Sequence, residues 1–80
     1  MPRFFFHSCN GTGFAEDEVG RILPDVAAAR LAAIAGLRGF MAAELKAGQL
    51  DMAAFIEIQN DQGEYLQTVS FEDAVKVRGS

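Results

Sequence analysis

The chain has 80 residues, 50% of them hydrophobic and 22% charged, which is material for one core and too little for a second. That length excludes the large enzyme folds, and no uninterrupted apolar run reaches the roughly 18 residues of a membrane span. Seven Lys and Arg against eleven Asp and Glu give a net charge of −4, so nucleic acid is a disfavoured partner.

Arg3 to Cys9 is short and rich in aromatics and predicts a first strand. Its alternation places Phe4, Phe6 and Ser8 on one face and Phe5, His7 and Cys9 on the other. Asn10-Gly11 is a strong hairpin signal, extended by Thr12-Gly13. Between Phe14 and Leu23, the acidic cluster Glu16-Asp17-Glu18 and the turn residue Gly20 interrupt two short extended pieces. Arg21-Ile22-Leu23 is the preferred second strand. Pro24 turns Leu23 away from helical geometry, and the Asp25 carboxylate is placed to cap a helix starting at Val26.

Residues 26 to 47 are dominated by Ala, Leu, Arg, Glu and Lys, with Lys46 in the last turn and Gly48 suited to the position after it. At about 100° per residue, Val26, Ile34, Leu37, Phe40, Met41 and Leu45 form the face expected to cover a sheet. The opposite face carries Ala28, Ala32, Ala35, Gly36, Gly39 and Ala43, with Lys46 its one long polar side chain. A solvated face normally carries more charge. Glycine inside a helix costs roughly 1 kcal/mol relative to alanine, so Gly36 and Gly39 call for a compensating close approach. The expectation is an interaction surface at Ala32, Gly36, Gly39 and Ala43, serving a homodimer or a docked protein; the alternative is a bare alanine-rich face.

Beyond the helix, Phe55 to Gln59 and Tyr65 to Val69 read as a second hairpin about Asn60-Asp61-Gln62-Gly63, a type I turn closed by a glycine bulge. Ser70 with Asp73 has the spacing of a capping box, predicting one helical turn over Phe71 to Lys76. Val77 to Ser80 is expected to fray. The whole predicts a single α+β domain, residues 1–80, in the order β-β-α-β-β, with one face of a small antiparallel sheet packed on the long helix. Phe4, Phe6, Ile22, Ile56, Ile58 and Val69 are its expected contributors.

Chemistry-bearing residues are sparse. Cys9 has no second cysteine, so neither an internal disulfide nor a CxxC metal pair is available. At this size a core supplies only about 3 to 5 kcal/mol, which raises the expectation of self-association. His7 and Cys9 lie about 6 to 7 Å apart between Cα atoms on one strand face, and a thiol dyad needs closer contact and an orienting third group. Contiguous Glu16-Asp17-Glu18 lacks the alternation of a calcium loop, and Gly11-Thr12-Gly13 lacks the rest of a nucleotide loop. No catalytic residue, cofactor or metal is expected. Arg30 falls within the apolar stripe and is read as an ion pair reaching Asp17, Glu18 or Asp25, with an anion-binding arginine as the alternative. The polar cluster expected from this is Asp17, Asp25 and Arg30.

Taken together, the opening Pro2-Arg3-Phe4-Phe5-Phe6-His7, the segment Asp17-Glu18-Val19-Gly20, the helix start Leu23-Pro24-Asp25-Val26 with Ala28-Ala29-Arg30, and Phe71-Glu72-Asp73-Ala74 resemble a family of short bacterial proteins known only as a domain of unknown function. The resemblance spans nearly the whole chain and implies two hairpins around one helix, with no activity attached. The Asn10-to-Gly13 turn, Gly36 and Gly39 depart from that pattern. In layout the chain also resembles antitoxin subunits of RNA-targeting toxin systems, although their Gly-Cys and Gly-Asp-Thr segments are missing. The leading expectation is a cytoplasmic, non-enzymatic interaction or regulatory module, possessing a protein partner or a second copy, and engaging neither membrane nor metal. An antitoxin-like protein neutralising a ribonuclease, and a thiol enzyme using Cys9, are the alternatives.

Overall fold

The computed structural model describes residues 2–11 and 13–79. The parts expected of Thr12 in the first turn and of Ser80 in the tail lie outside these residues. The element order is β1 (Arg3–Asn10), β2 (Gly13–Ala15), β3 (Arg21–Ile22), α1 (Val26–Lys46), β4 (Phe55–Asn60), β5 (Tyr65–Ser70) and α2 (Phe71–Ala74). The sheet is antiparallel in the order β2-β1-β4-β5, with β3 also on β1. The expected α+β architecture is present, with one difference from the predicted order. The stretch after the first turn contributes two strands, and the piece nearer the turn is the second strand. Asn10 opposite Gly13 lays β2 along Ser8 to Asn10, and the chain then loops out and returns as β3 against Arg3 and Phe4.

Local hydrogen bonds account for most boundaries. Asp25 Oδ1 accepts from Ala28 N at 2.8 Å and starts α1. Gln49 N returns to Glu44 O at 2.9 Å and ends it with a Schellman bond. In the second hairpin, Gly63 sits at φ +79 and donates to Asn60 O at 3.1 Å, the bulge geometry that favours glycine. Ser70 N and Oγ both donate to Asp73 Oδ2, at 2.9 and 3.0 Å, which fixes the first turn of α2.

The core lies between the sheet and α1. Phe4, Ile56, Ile58 and Val69 are buried from the sheet, Ala29, Ala33, Leu37 and Met41 from the helix, and Phe71 and Ala74 from α2. The helical stripe thus differs from the expected one. Leu37 and Met41 are buried and Val26 and Ile34 half-buried, but Phe40 is 40% exposed and Leu45 61% exposed. The buried row runs Ala29, Ala33, Leu37, Met41 at steps of four, which turns the leading half of the stripe toward small residues. Alanine is buried when two backbones approach closely. Ile22 is likewise 50% exposed, because the two-residue β3 lies at the sheet margin. By length and mean hydropathy alone α1 also qualifies as a membrane-spanning helix, although Arg30 and Arg38 interrupt its apolar run and its buried row is packed on the sheet.

Candidate functional site

Along the margin of β1, β2 covers Ser8 to Asn10 and β3 covers Arg3 and Phe4, leaving a gap between them. A side chain fills that gap. Asp17 Oδ2 accepts from Phe6 N at 3.0 Å, and Oδ1 accepts from Val19 N and Gly20 N at 3.1 and 3.0 Å. The carboxylate replaces a strand carbonyl for β1 and organises its own loop. Burial alone raises the Asp17 carboxyl, but the amides of Gly20, Phe6 and Val19 together outweigh it and hold the group below the ordinary aspartate value. Arg3 Nη1 donates to Val19 O at 2.8 Å and ties the same loop from the other side.

His7 sits beneath this loop and is only 6% exposed, a burial that alternation alone did not disclose. Asp17 N donates to Nδ1 at 3.0 Å, and since an amide N–H only donates, Nδ1 is the acceptor. The proton therefore resides on Nε2, which donates to Gln59 Oε1 at 3.2 Å. The Phe14 ring, centred 5.8 Å away, covers the imidazole. Both ring nitrogens are thus engaged, and neither faces a Cys9 thiol. Cys9 is a half-buried free cysteine. Gly20 closes the arrangement at φ +73, where an added Cβ meets Phe5 Cε2 at 2.8 Å and Phe4 O at 3.0 Å. Gly20→Ala is expected to lower stability by about 2 kcal/mol through backbone strain and this clash, read as a lower urea midpoint.

The expected Asp17, Asp25 and Arg30 cluster does not assemble, since Asp17 holds its loop and Asp25 caps α1. Arg30 is half-buried and reaches the β5 edge of the sheet and α2 instead. Its Nη2 pairs with Asp73 Oδ1 at 3.2 Å, and its Nη1 donates to Gln67 Oε1 at 3.1 Å. Arg38 acts in parallel, with Nε donating to Ala74 O at 2.6 Å. Two arginines on α1 therefore clamp opposite ends of α2. Asp73 is held below its ordinary value, first by the Ser70 amide and hydroxyl and then by Arg30.

A second carboxylate strap joins the two ends of the core elements. Asp51 accepts from Gly11 N and Ala53 N, and Asp51 N donates to Glu44 Oε1 at 3.2 Å. The Gly11 and Ala53 amides lower the Asp51 carboxyl. An open depression lies here, lined by Asn10, Gly11, Glu44, Gln49, Leu50 and Asp51. Among the described residues, no three His, Cys, Asp or Glu side chains gather as a metal set.

The expected interaction residues lie on successive turns of α1. Gly36, Gly39 and Ala43 are exposed and Ala32 is half-buried, and a Cβ added at Gly36 would be 3.9 Å from Ile56 Cδ1, an ordinary contact. Nothing lies within 4 Å of a Cβ added at Gly39. Leu31 is 69% exposed beside exposed Ala35, Gly39 and Ala42. The outward side of α1 is thus a run of apolar and small residues, interrupted by Arg38, which is turned onto α2, and by Lys46 near the end. Leu31 belongs to neither face expected from the sequence, because the buried row follows Ala29 and Ala33 rather than the largest apolar side chains.

This is the class of a small α+β domain, a five-stranded antiparallel sheet carrying one long helix, with an apolar helix surface left uncovered by its own chain. Residues 3–72 match the family model of the domain of unknown function DUF6894, and the chain belongs to that family. Neither the curated proteins nor the solved structures contain a match to it.

Proposed function

We propose that this domain is a non-enzymatic, cytoplasmic protein-interaction module whose contact surface is the outward side of α1. The observation that carries the reading is the uncovered run of Leu31, Ala35, Gly39 and Ala42 on a helix that packs its opposite row, Ala29, Ala33, Leu37 and Met41, into the core. A contiguous exposed apolar patch is uncommon on a protein that remains alone, and its burial drives association. The straps at Asp17 and Asp51 and the two arginine clamps serve this role by fixing the helix and its connections to the sheet. The engagement of both His7 nitrogens supports a structural role for the imidazole.

Leu31→Glu tests the surface directly. The side chain is outside the core, so folding stability should change by no more than about 0.5 kcal/mol. Association, measured by light scattering of the pure protein and by capture from cell lysate, is expected to fall at least tenfold. A folded variant that associates like the parent in both measurements overturns the reading.

A further inference from the structure

We infer that the sheet face turned away from α1 docks a basic segment of another protein, seating an arginine side chain on Glu57 between Phe55 and Tyr65. This surface is separate from the outward side of α1, with the sheet between them. Phe4, Ile56, Ile58 and Val69 point into the core, so their strand neighbours Phe55, Glu57 and Thr68 face the other way. The register shift between Ile58 and Gln59 brings Tyr65 to that same side, where its Oη pairs with Thr68 Oγ1 at 2.8 Å. Phe14, paired with Cys9 and set over His7, extends the aromatic surface across β1. Phe14 and Tyr65 are 59% and 58% exposed. Both helices bury their apolar residues in the core on the opposite side, so neither covers these rings.

Charge identifies the occupant. Glu57 stands in the middle of this face, between His7 of β1 and Thr68 of β5, and is half-buried. Among the described residues its carboxylate has no hydrogen bond and no ion pair. The neighbouring groups are already engaged, His7 Nε2 with Gln59 Oε1 and Thr68 with Tyr65. The chain's own cations are elsewhere: Arg30, Arg38 and Lys46 are on α1, Arg21 is opposite Phe4, Arg3 donates to Val19 O, and the remaining two follow α2. A partly buried carboxylate without a partner is a cost to folding. Its ring neighbour Phe55, two residues along the strand, is about 6 to 7 Å away between Cα atoms. A guanidinium fits both features, since it donates two parallel N–H bonds to a carboxylate and stacks its plane on an aromatic ring. A lysine ammonium supplies the charge without the plane. The same carboxylate and the net charge of −4 repel phosphates, which sets nucleic acid aside as the occupant of these rings.

The probe is an end-capped peptide of alternating glycine and arginine, titrated into the isotope-labelled full chain beside its lysine counterpart. The arginine peptide is expected to shift the amides of Phe55, Glu57 and Thr68 and to bind more tightly than the lysine peptide. Glu57→Gln is expected to weaken that binding about tenfold, the worth of one charge-assisted hydrogen bond, without lowering the melting temperature, because the fold loses no partner. Glu57→Lys should abolish it. No shift at millimolar peptide overturns the proposal, as do shifts centred on Glu16 to Glu18 that survive Glu57→Gln, which would be general attraction to acidic groups. Equal binding of the two peptides, or tighter binding of a single-stranded oligonucleotide, also overturns it. Shifts confined to Leu31 through Ala42 overturn it in favour of the α1 surface, whereas shifts at Glu57 with none on α1 support it whether or not the α1 reading stands.

Discussion

Ile58→Ala is expected to lower folding stability by about 3 to 4 kcal/mol, through lost apolar burial and the cavity left behind. Ile58 is fully buried in β4, between Phe6 of β1 and Gln67 of β5, on the side that α1 covers. Removing it opens a void where strand and helix contacts converge, and neighbours held by pairing on both sides have little room to close it. A core of this size supplies only about 3 to 5 kcal/mol in all, so the variant should be largely unfolded at ambient temperature. Urea unfolding followed by circular dichroism measures the effect. Ile22→Ala is the control, because the half-exposed side chain should cost less than about 1 kcal/mol. Equal losses at the two positions would contradict the placement of the core.

That contrast also marks what was legible before the structure. The start of α1 at Asp25, its end near Gly48, the Asn60-to-Gly63 turn and the Ser70–Asp73 cap each depend on groups within a few residues, and local chemistry was enough to find them. Rotation of the helix on the sheet was not local. Reading the largest apolar side chains placed Phe40 and Leu45 inward, whereas close approach buries Ala29 and Ala33 and leaves those two exposed. Small residues carry a weak hydrophobic signal but permit short distances, and only the assembled sheet decides which effect wins.

The polar contacts were hidden for a related reason. Arg30 stands out in the sequence as a charged residue within the apolar stripe, but its partners are Gln67 of β5 and Asp73 of α2, which arrive through the second hairpin, and not Asp17, Glu18 or Asp25. Asp17 read as one member of a solvated acidic turn. Its role appears only when β2 and β3 leave Phe6 N without a strand partner and the loop folds over His7. A contiguous acidic cluster therefore concealed one residue whose environment differs from those of its neighbours.

Asp17→Ala is expected to cost about 2 to 3 kcal/mol, since three backbone amides lose a charged acceptor and Phe6 N is partly buried. The loss should concentrate at the β1 margin, with faster amide exchange at Phe6, Val19 and Gly20 and little change across β4 and β5. The pH dependence has a definite sign. The folded carboxyl lies below its unfolded value of about 4, so the unfolded state binds more protons as pH falls. Its contribution is complete above the unfolded value and is lost on descending through the folded one. The parent protein should therefore lose stability below about pH 4, and Asp17→Ala should show a shallower decline. Asp51 and Asp73 are lowered by amide contacts of their own, so the variant's slope should be reduced rather than flat. An identical slope in parent and variant would show that the Asp17 carboxylate does not strap β1 in solution.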